Sequence, residues 1–424
     1  MGMSYTKLTG VALAALLAGP AIAQEKVLTI WSWDIAAKSL SDVAAKFKEQ
    51  HPDVKVVVED LGGQQVFDRT LAGCAAGGAG LPDIVTIENG KAEIFWSRFA
   101  GCFADLRPLG YGNETAAMFP EFKRAELEHD GVPYAMPWDS GPVAVFYRRD
   151  FYANANVDPA AIATWDDYVA AGQAVAKANP GVAMTQIDLN GSDWFRMVAN
   201  EQNCAYFSLD GASITIAQPG CVTALDVIKK LHDAGIVSEG DWNARLQASA
   251  AGTVASQMSG GWYEGSIRSV AASTSGKWGV HLMPAGSATS KRAANLGGSA
   301  LAIPAASREQ QTAYDFLTLA LATKDSQIAM LRDYGLVPSL NATLDDPYIA
   351  APQEFWGGQA VWKDILGTLK DIEPSRGTQF YADADSILVQ VQTAYVNGEF
   401  PDAAAALNSA AQQIAGATGL PIAE

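Results

Sequence analysis

Apolar and polar positions in residues 26–99 follow two periods in turn, and this pattern predicts strands separated by helices. Leu40, Val43 and Phe47 lie at helical spacing together with Ala44, and His51-Pro52 ends that helix. Further helices are predicted from Gln64 towards Gly73 and over 92–99, and strands over 26–33, 54–58 and 82–88. This alternation predicts an α/β lobe with a largely parallel sheet, whose ligands bind outside the carboxyl ends of the strands.

Segment 133–150, PYAMPWDSGPVAVFYRRD, joins a proline-containing half to a β-branched and aromatic half. The second half, 143–147, predicts a strand. Because a proline cannot donate into a central ladder, we expect Trp138 and Asp139 to lie where a loop becomes a strand. We interpret the segment as the crossing from one lobe to a second, with a ligand site at the crossing. A surface hairpin is the alternative.

The remainder of the chain predicts a second, mostly helical lobe. Thr164 and Asp167 form a capping-box pattern at the start of a helix, and Ser307 and Gln310 form another. A glycine pair precedes Trp262 and Tyr263, and glycines allow close approach of the backbone. Segments 190–194 and 204–221 are predicted as loop-rich, 278–283 and 295–304 as strands, and 222–232, 350–369, 383–396 and 401–414 as helical. We expect 295–304 to return the chain to the first lobe.

The first 23 residues have the pattern of a signal peptide. Lys7 precedes an uncharged, Ala-rich run over 8–23, and Ala21-Ile-Ala23 before Gln24 is typical of a signal-peptidase site. A short membrane anchor is the alternative, but the run is too short to span a bilayer comfortably. Removing Lys7 changes the net charge from −17 to −18. We therefore expect an exported, soluble monomer, since nucleic acid and anionic membranes require basic patches.

Four cysteines, at positions 74, 102, 204 and 221, have no CxxC motif and no histidine at metal-ligand spacing. Export permits disulfides. Of the three possible connectivities we favour Cys74–Cys102 with Cys204–Cys221, because each pair then stays within one proposed lobe. Four buried thiols are the alternative. No metal site is predicted.

Tryptophans next to acids or amides suggest a polyhydroxylated ligand. A flat ring stacks on the apolar face of a sugar, while carboxylates, amides and arginine bind its hydroxyls. The candidates are Trp33 with Asp34, Trp138 with Asp139, Trp194 after Asp193, and Trp242 between Asp241 and Asn243. Packing is the alternative for each, and is the role expected of Trp31, Trp96, Trp165, Trp278, Trp356 and Trp362.

No nucleophile elbow, zinc-protease, P-loop or dinucleotide motif is present in the sequence. The four histidines, His51, His129, His232 and His281, lie in no general-base pattern, and solvated or capping roles are expected. A glycosidase needs only two carboxylates, so a secreted carbohydrate-active enzyme is the main alternative to a binding protein. A static adhesion module and a receptor for a non-sugar solute are further alternatives.

Several segments, in this order, resemble the bacterial extracellular solute-binding proteins of family 1, the periplasmic receptors of carbohydrate ABC transporters. They include LTIWSW, FKEQHPDVKV, GLPDIVTIE, FADLRPLG, DGVPYAMPWDSGPVAVFYRRDFY, TWDDYVAAGQAVA, MSGGWYEG, WGVHLMPAG, GGSALAIPAASREQQTAYDFL, YGLVPS and VNGEFPDAAAALNSAAQQI. The resemblance covers nearly the whole mature chain. It implies a type II periplasmic binding-protein fold of two α/β lobes that close over a sugar, polyol or glycoside.

The resemblance also implies lobe bounds and site residues. The N-terminal lobe would comprise 24–139 and 297–345, and the C-terminal lobe 140–296 and 346–424. The ligand contacts would be Trp33, Gln64 or Gln65, Glu88, Trp138, Asp139, Trp262, Gly298, Ser299 and, as a polar clamp, Arg376. Arg376 would suit either neutral hydroxyls or an anionic group. The resemblance implies no catalysis and no cofactor, and a membrane permease as the partner.

Overall fold

A computed structural model of the chain describes residues 1–3, 25–287, 290–375 and 377–423. Most of the predicted signal peptide, including its cleavage site, and the predicted clamp Arg376 lie outside these residues. Among the described residues, no helix is both long and apolar enough to cross a membrane.

The described residues form alternating strands and helices. The strands are β1 (Lys26–Ser32), β2 (Val54–Asp60), β3 (Ile84–Glu88), β4 (Glu128–His129), β5 (Val132–Pro133), β6 (Ala135–Arg148), β7 (Thr185–Ile187), β8 (Val237–Glu239), β9 (Ser256–Gly260), β10 (Trp278–Leu282) and β11 (Asn295–Ala302). The helices are α1 (Asp34–Gln50), α2 (Gly63–Ala75), α3 (Glu93–Ser97), α4 (Asn113–Ala117), α5 (Glu121–Ala125), α6 (Arg149–Asn154), α7 (Trp165–Ala178), α8 (Asp193–Glu201), α9 (Pro219–Asp233), α10 (Trp242–Ala251), α11 (Tyr263–Val270), α12 (Gln310–Leu321), α13 (Lys324–Tyr334), α14 (Pro347–Ala350), α15 (Val361–Leu366), α16 (Tyr381–Val396) and α17 (Ala403–Thr418). Short 3-10 turns lie at Asn89–Lys91, Arg107–Leu109, Pro159–Ala161, Ala272–Thr274, Asn341–Thr343, Glu354–Trp356 and Leu369–Asp371.

One mixed sheet runs through the molecule in the order β10-β6-β11-β3-β1-β2, and β9 also pairs with β6. β1 is parallel to β2 and β3, as the alternation of strands and helices predicted. β11 returns antiparallel between β3 and β6. The strands β1, β2, β3 and β11 therefore form one part of the sheet, and β9 and β10 form the other, with β6 in both.

β6 links the two parts because its halves pair with different neighbours. Its first half pairs with β11, and its second half lies between β9 and β10. The expected loop at Trp138 and Asp139 is wrong, because one buried strand runs through both Pro137 and Pro142. The register with β11 shifts beside each proline, where the missing N–H cannot complete the ladder. β11 is a second strand that crosses between the two parts of the sheet. A β-bridge joins Asp139 to Pro338 at the same place.

Each part of the sheet has its own buried core. In the first part, Leu40, Val43 and Phe47 of α1 pack with Phe316 and Leu317 of α12, on the faces that the helical spacing predicted. In the second part, α7, α8, α9, α16 and α17 pack together. Five tryptophans expected to pack are at most 3% exposed, namely Trp96, Trp165, Trp278, Trp356 and Trp362.

Most predicted elements are present, with some differences. The capping box of Thr164 and Asp167 opens α7 as predicted. The second predicted box is wrong: Glu309 precedes α12, and the Ser307 hydroxyl donates to Asp83 over 2.7 Å. The predicted loop at 190–194 overlaps the start of α8. His281, expected to be solvated or capping, is only 9% exposed.

The predicted disulfide pairing is confirmed. Cys74 and Cys102 are bonded, with a Cα–Cα distance of 5.3 Å, and so are Cys204 and Cys221, with 5.5 Å. The first bond ties α2 to the loop after α3, and the second ties the loop after α8 to the start of α9. Each bond therefore stays on one side of the crossing strands.

Candidate ligand-binding cleft

A cleft of about 980 Å³ lies between the two parts of the sheet. One side is formed by the carboxyl ends of β1 and β3 and by the first turns of α1 and α2, which is where a parallel sheet binds ligands. The other side is formed by α8, α10 and α11. Nine residues predicted for the site line this cleft: Trp33, Asp34, Gln64, Glu88, Asp139, Trp242, Trp262, Gly298 and Ser299.

Four other predicted residues lie elsewhere. Trp138 is fully buried in the first core and its indole N–H points at the sulfur of Met330, 3.1 Å away. Trp194 is 3% exposed and donates to the Gln186 carbonyl. Tyr263 is fully buried beneath Trp242, and Gln65 is exposed on α2. Among the described residues these four do not line the cleft.

Aromatic rings line both sides of the cleft. Trp33 and Phe67 lie on the first side, and Trp242 and Trp262 on the second. The Trp262 indole N–H donates to the Leu296 carbonyl over 2.8 Å, which fixes its ring at the crossing strand β11. The rings are partly exposed and can offer their faces to the apolar face of a ligand.

Polar groups stand between these rings. Asp34 begins α1 with φ of +44°, a left-handed conformation that costs free energy in a non-glycine residue and is often found at binding sites. Its backbone N–H donates to Asp60 over 2.9 Å, which holds this turn in place. Glu88, at the end of β3, pairs with Lys91 over 2.9 Å. The cleft therefore offers acceptors and donors close to its apolar surfaces.

The floor of the cleft is formed by Asp139, Gly298 and Ser299, where β6 and β11 pair. The Ser299 backbone N–H donates to Oδ1 of Asp139 over 2.8 Å, and its hydroxyl donates to the same oxygen. Burial raises the pKa of the Asp139 carboxyl, although the positive charge of Lys123 and the Ser299 hydrogen bonds oppose that shift. Gly298 has φ of +98°, which favours glycine.

Two charged residues of α8 line the cleft and were not predicted from the sequence. Asp193 and Arg196 both line the cleft, and the Arg196 guanidinium lies 5.3 Å from the Tyr381 ring centroid and 4.0 Å from Asp193. Residues three apart in the sequence share one face of a helix. Assigning a helix to this segment would therefore have placed Asp193 and Arg196 on one face and Trp194 on another. Arg196 therefore offers a guanidinium to the cleft.

A side groove of about 480 Å³ adjoins the cleft. Gln64, Phe67 and Lys91 line both cavities and form the boundary between them. The far side of the side groove is formed by α16, including Tyr381 and Gln390. The space between the two parts of the sheet therefore continues past the tryptophans as a longer channel with mixed polar and apolar walls.

The described part of the chain contains no group of three or more His, Cys, Asp or Glu side chains placed to hold a metal ion.

A family model described as "Bacterial extracellular solute-binding protein" matches residues 42–355. Two named relatives are similar over most of their length. The lactose-binding protein of Rhizobium radiobacter is 28% identical over 410 residues, which cover 93% of this chain and 96% of the relative. The arabinooligosaccharide-binding protein of Bacillus subtilis (strain 168) is 27% identical over 327 residues, covering 74% and 73%.

Solved structures share the fold. The GacH receptor of Streptomyces glaucescens, studied unliganded and with acarbose, has a TM-score of 0.79 and 19% identity over 92% of this chain and 98% of its own. An ABC transporter-associated binding protein from B. animalis subsp. lactis, in complex with beta-1,6-galactobiose, has a TM-score of 0.78 and 24% identity over 94% and 100%. The mixed α/β fold is thus that of two-lobed type II periplasmic binding proteins, as expected from the sequence.

Proposed function

The chain belongs to the bacterial extracellular solute-binding proteins, and on that premise we propose that it is the sugar receptor of an ABC importer. One observation carries this proposal: an interlobe cleft of about 980 Å³ in which partly exposed tryptophan rings lie next to carboxylates. Sugars have apolar faces and a rim of hydroxyls, and they are bound by this combination of groups. The named relatives, which are a lactose-binding and an arabinooligosaccharide-binding protein, support the same ligand class.

Each part of the cleft has a distinct role in the proposal. Trp33, Trp242 and Trp262 stack on the faces of sugar rings. Glu88 and Asp139 accept hydrogen bonds from ligand hydroxyls, and Arg196 donates them. The positive groups Lys91 and Arg196 each have a carboxylate within 4.0 Å, so their charges are largely compensated and the proposed ligand is uncharged.

The proposed ligand is an oligosaccharide of two or more units. The support is the side groove, whose 480 Å³ adjoin the cleft along Gln64, Phe67 and Lys91. A sugar ring stacked between the tryptophans would leave room for further units towards α16. Gln390 would contact these units and no others, since it lines the side groove and not the main cleft.

Binding is proposed to close two lobes about the crossing strands. The lobes are 24–139 with 297–345 and 140–296 with 346–424. Near these bounds the Ser140 N–H donates to Val337 over 2.8 Å and the Ser339 N–H to Trp138 over 3.0 Å. Ligand would select the closed form because only that form contacts it from both sides. The receptor would act without catalysis, as a monomer in the periplasm, and deliver its ligand to a membrane permease.

The proposal is tested by thermal shift and calorimetry against lactose, beta-1,6-galactobiose, arabino-oligosaccharides, their monosaccharides, polyols and sugar acids. A ligand present at a hundred times its dissociation constant should add about 2.7 kcal/mol to the unfolding free energy, a shift of several degrees. We expect a neutral oligosaccharide to bind more tightly than its monosaccharide. Small-angle scattering should show compaction on binding.

The variant Gln390→Ala tests the side groove. It should weaken binding of a long oligosaccharide and leave its disaccharide unchanged, because only the longer ligand reaches α16. Equal effects on both lengths would contradict the placement of the ligand. If no compound of the panel binds, the proposal of a sugar ligand is contradicted. If the protein releases a monosaccharide from any compound, the receptor function is contradicted and an enzyme is favoured.

A further inference from the structure

Lys123 carries an ammonium group that is enclosed by protein beneath the floor of the cleft. Its side chain has no exposed surface, and its nearest ion-pair partner is Oε2 of Glu126, 3.7 Å away. Among the described residues, no acceptor makes a hydrogen bond of ordinary length and angle with its Nζ atom. Burying a charge with so few partners costs stability, so packing alone does not account for a lysine at this position.

The ammonium lies directly behind the residues of the floor. A Cβ atom built on Gly298 would be 2.8 Å from Nζ of Lys123 and 2.7 Å from the carbonyl oxygen of Asp139. The next residue, Ser299, donates its backbone N–H to the Asp139 carboxylate over 2.8 Å. The Asp139 carboxylate therefore accepts both Ser299 donors and lines the cleft, and the nearby Lys123 ammonium acts electrostatically to stabilise its charged form.

We propose that Lys123 is a positioning residue of the binding site, whose ammonium keeps Asp139 charged so that the floor presents an acceptor to a ligand hydroxyl. This inference rests on the proposed function, because it assigns Asp139 to a ligand. Lys123 itself does not touch the ligand. Without the ammonium, a carboxyl in this buried position would take up a proton and lose most of its strength as an acceptor.

A second buried carboxylate shares the same ammonium. Glu126 is 7% exposed, and it accepts a hydrogen bond from Asn89 over 2.7 Å. Burial raises the pKa of both Asp139 and Glu126, and Lys123 opposes the shift in each. One positive charge between two buried carboxylates leaves an excess negative charge. Removing Lys123 and neutralising Glu126 should therefore change the pKa of Asp139 in opposite directions.

Other charged groups face this floor, and the test leaves them in place. Glu88 lies opposite Ser299 on β3, and Arg196 lines the same cleft from α8. Arg196 also interacts electrostatically with Glu126. Because the two substitutions below keep Glu88 and Arg196, any difference between them reports on Lys123 and Glu126.

The test compares the wild type with Lys123→Met and Glu126→Gln. Protein labelled with ¹³C at aspartate Cγ is titrated by NMR without ligand, and Asp139→Asn identifies the Asp139 signal. We expect the Asp139 midpoint to rise by at least about one pH unit in Lys123→Met and to fall in Glu126→Gln.

In parallel, calorimetry measures the affinity for lactose, beta-1,6-galactobiose and arabinotriose as probes across the same pH range. Below each midpoint, the dissociation constant should rise by up to about tenfold per pH unit, because binding favours the ionised form.

The outcomes separate the inference from the proposed function. A purely structural Lys123 would lower the melting temperature and leave the Asp139 midpoint where it was, which would overturn the inference. The inference would also be overturned if the Asp139 midpoint moved in the same direction in both variants. It would be overturned as well if the pH dependence of the probe dissociation constants did not follow the Asp139 midpoint. If none of the probes binds the wild type, the proposed function fails at the level of the ligand, and the ligand-free titration still decides whether Lys123 sets the charge of Asp139. If Lys123→Met does not fold, Lys123→Gln, which keeps a polar side chain at this position, is titrated in its place, and an unchanged Asp139 midpoint in that variant would overturn the inference.

Discussion

The ring centroids of Trp242 and Trp262 lie 5.9 Å apart with an angle of 43° between the ring planes. Trp242 is 43% exposed, the largest exposure of any tryptophan among the described residues. Trp262 is held by its hydrogen bond to Leu296. The two rings form an apolar corner of the cleft in which one ring is fixed and the other faces solvent.

The first prediction concerns this corner. Trp242→Ala should raise the dissociation constant for the sugar found in the screen by about two- to tenfold, since an aromatic contact contributes about 0.5–1.5 kcal/mol. Trp242→Tyr should keep most of the affinity. The control is Trp31→Ala, which removes a half-buried tryptophan that does not line the cleft. Calorimetry measures all three, and equal losses for Trp242→Ala and Trp31→Ala would argue against stacking.

The second prediction concerns the space behind Gly298. Gly298→Ala should lower the unfolding free energy for two reasons, a strained φ of +98° and a Cβ that would lie 2.7 Å from the Asp139 carbonyl oxygen and 2.8 Å from Lys123 Nζ. Gly276→Ala is the matched control, because Gly276 has φ of +81° and no atom within 4 Å of the added Cβ. Urea unfolding should show a loss of about 1 kcal/mol for the control and about 1–3 kcal/mol more for Gly298→Ala. Similar losses would mean that the floor has room to relax.

The third prediction concerns acid stability. Burial lowers the pKa of His281 from 6.5 to about 4. On acidification the unfolded chain therefore takes up this proton first, so stability is lost as the pH falls from about 7 to 4. The loss should be about 3 kcal/mol. His281→Gln should be less sensitive to acid by that amount in urea unfolding at the two pH values, and an acid sensitivity equal to that of the wild type would contradict the prediction.

The fourth prediction concerns the disulfides. Replacing Cys204 and Cys221 by serine should lower the unfolding free energy by about 3 kcal/mol, because the unfolded chain regains the freedom of a 17-residue loop. The same change at Cys74 and Cys102 should cost slightly more, since that loop spans 28 residues. Urea midpoints under non-reducing conditions measure both. A smaller loss at the longer loop would show that native packing, and not loop entropy, sets the effect.

Local patterns predicted most of the elements because they depend on neighbours in the sequence. The spacing of Leu40, Val43 and Phe47 fixed the buried face of α1, and a proline after His51 fixed its end. The same kind of evidence failed in β6. Pro137 and Pro142 argued for a loop, but pairing with β11 and the crossing segment at Val337–Ser339 holds a strand through both.

Side-chain direction was harder to predict than position in the chain. Trp33, Trp242 and Trp262 line the cleft, whereas Trp138 and Trp194 have similar acidic neighbours and lie in the core. An acidic neighbour does not reveal which way a ring points. That direction depends on the strand pleat in β6 and on the helical turn in α8.

The sequence by itself determined the α/β class, the order of most strands and helices and the likeness to extracellular solute-binding proteins, and it favoured the disulfide pairing that the structure has. These properties follow from residues close together in the chain or from motifs in a fixed order. Only the tertiary structure decided that Lys123 lies behind Gly298 at the cleft floor, that Arg196 faces the cleft, and that a side groove continues to α16. Such relationships join residues far apart in the sequence, and they arise when β6 and β11 bring the two parts of the sheet together.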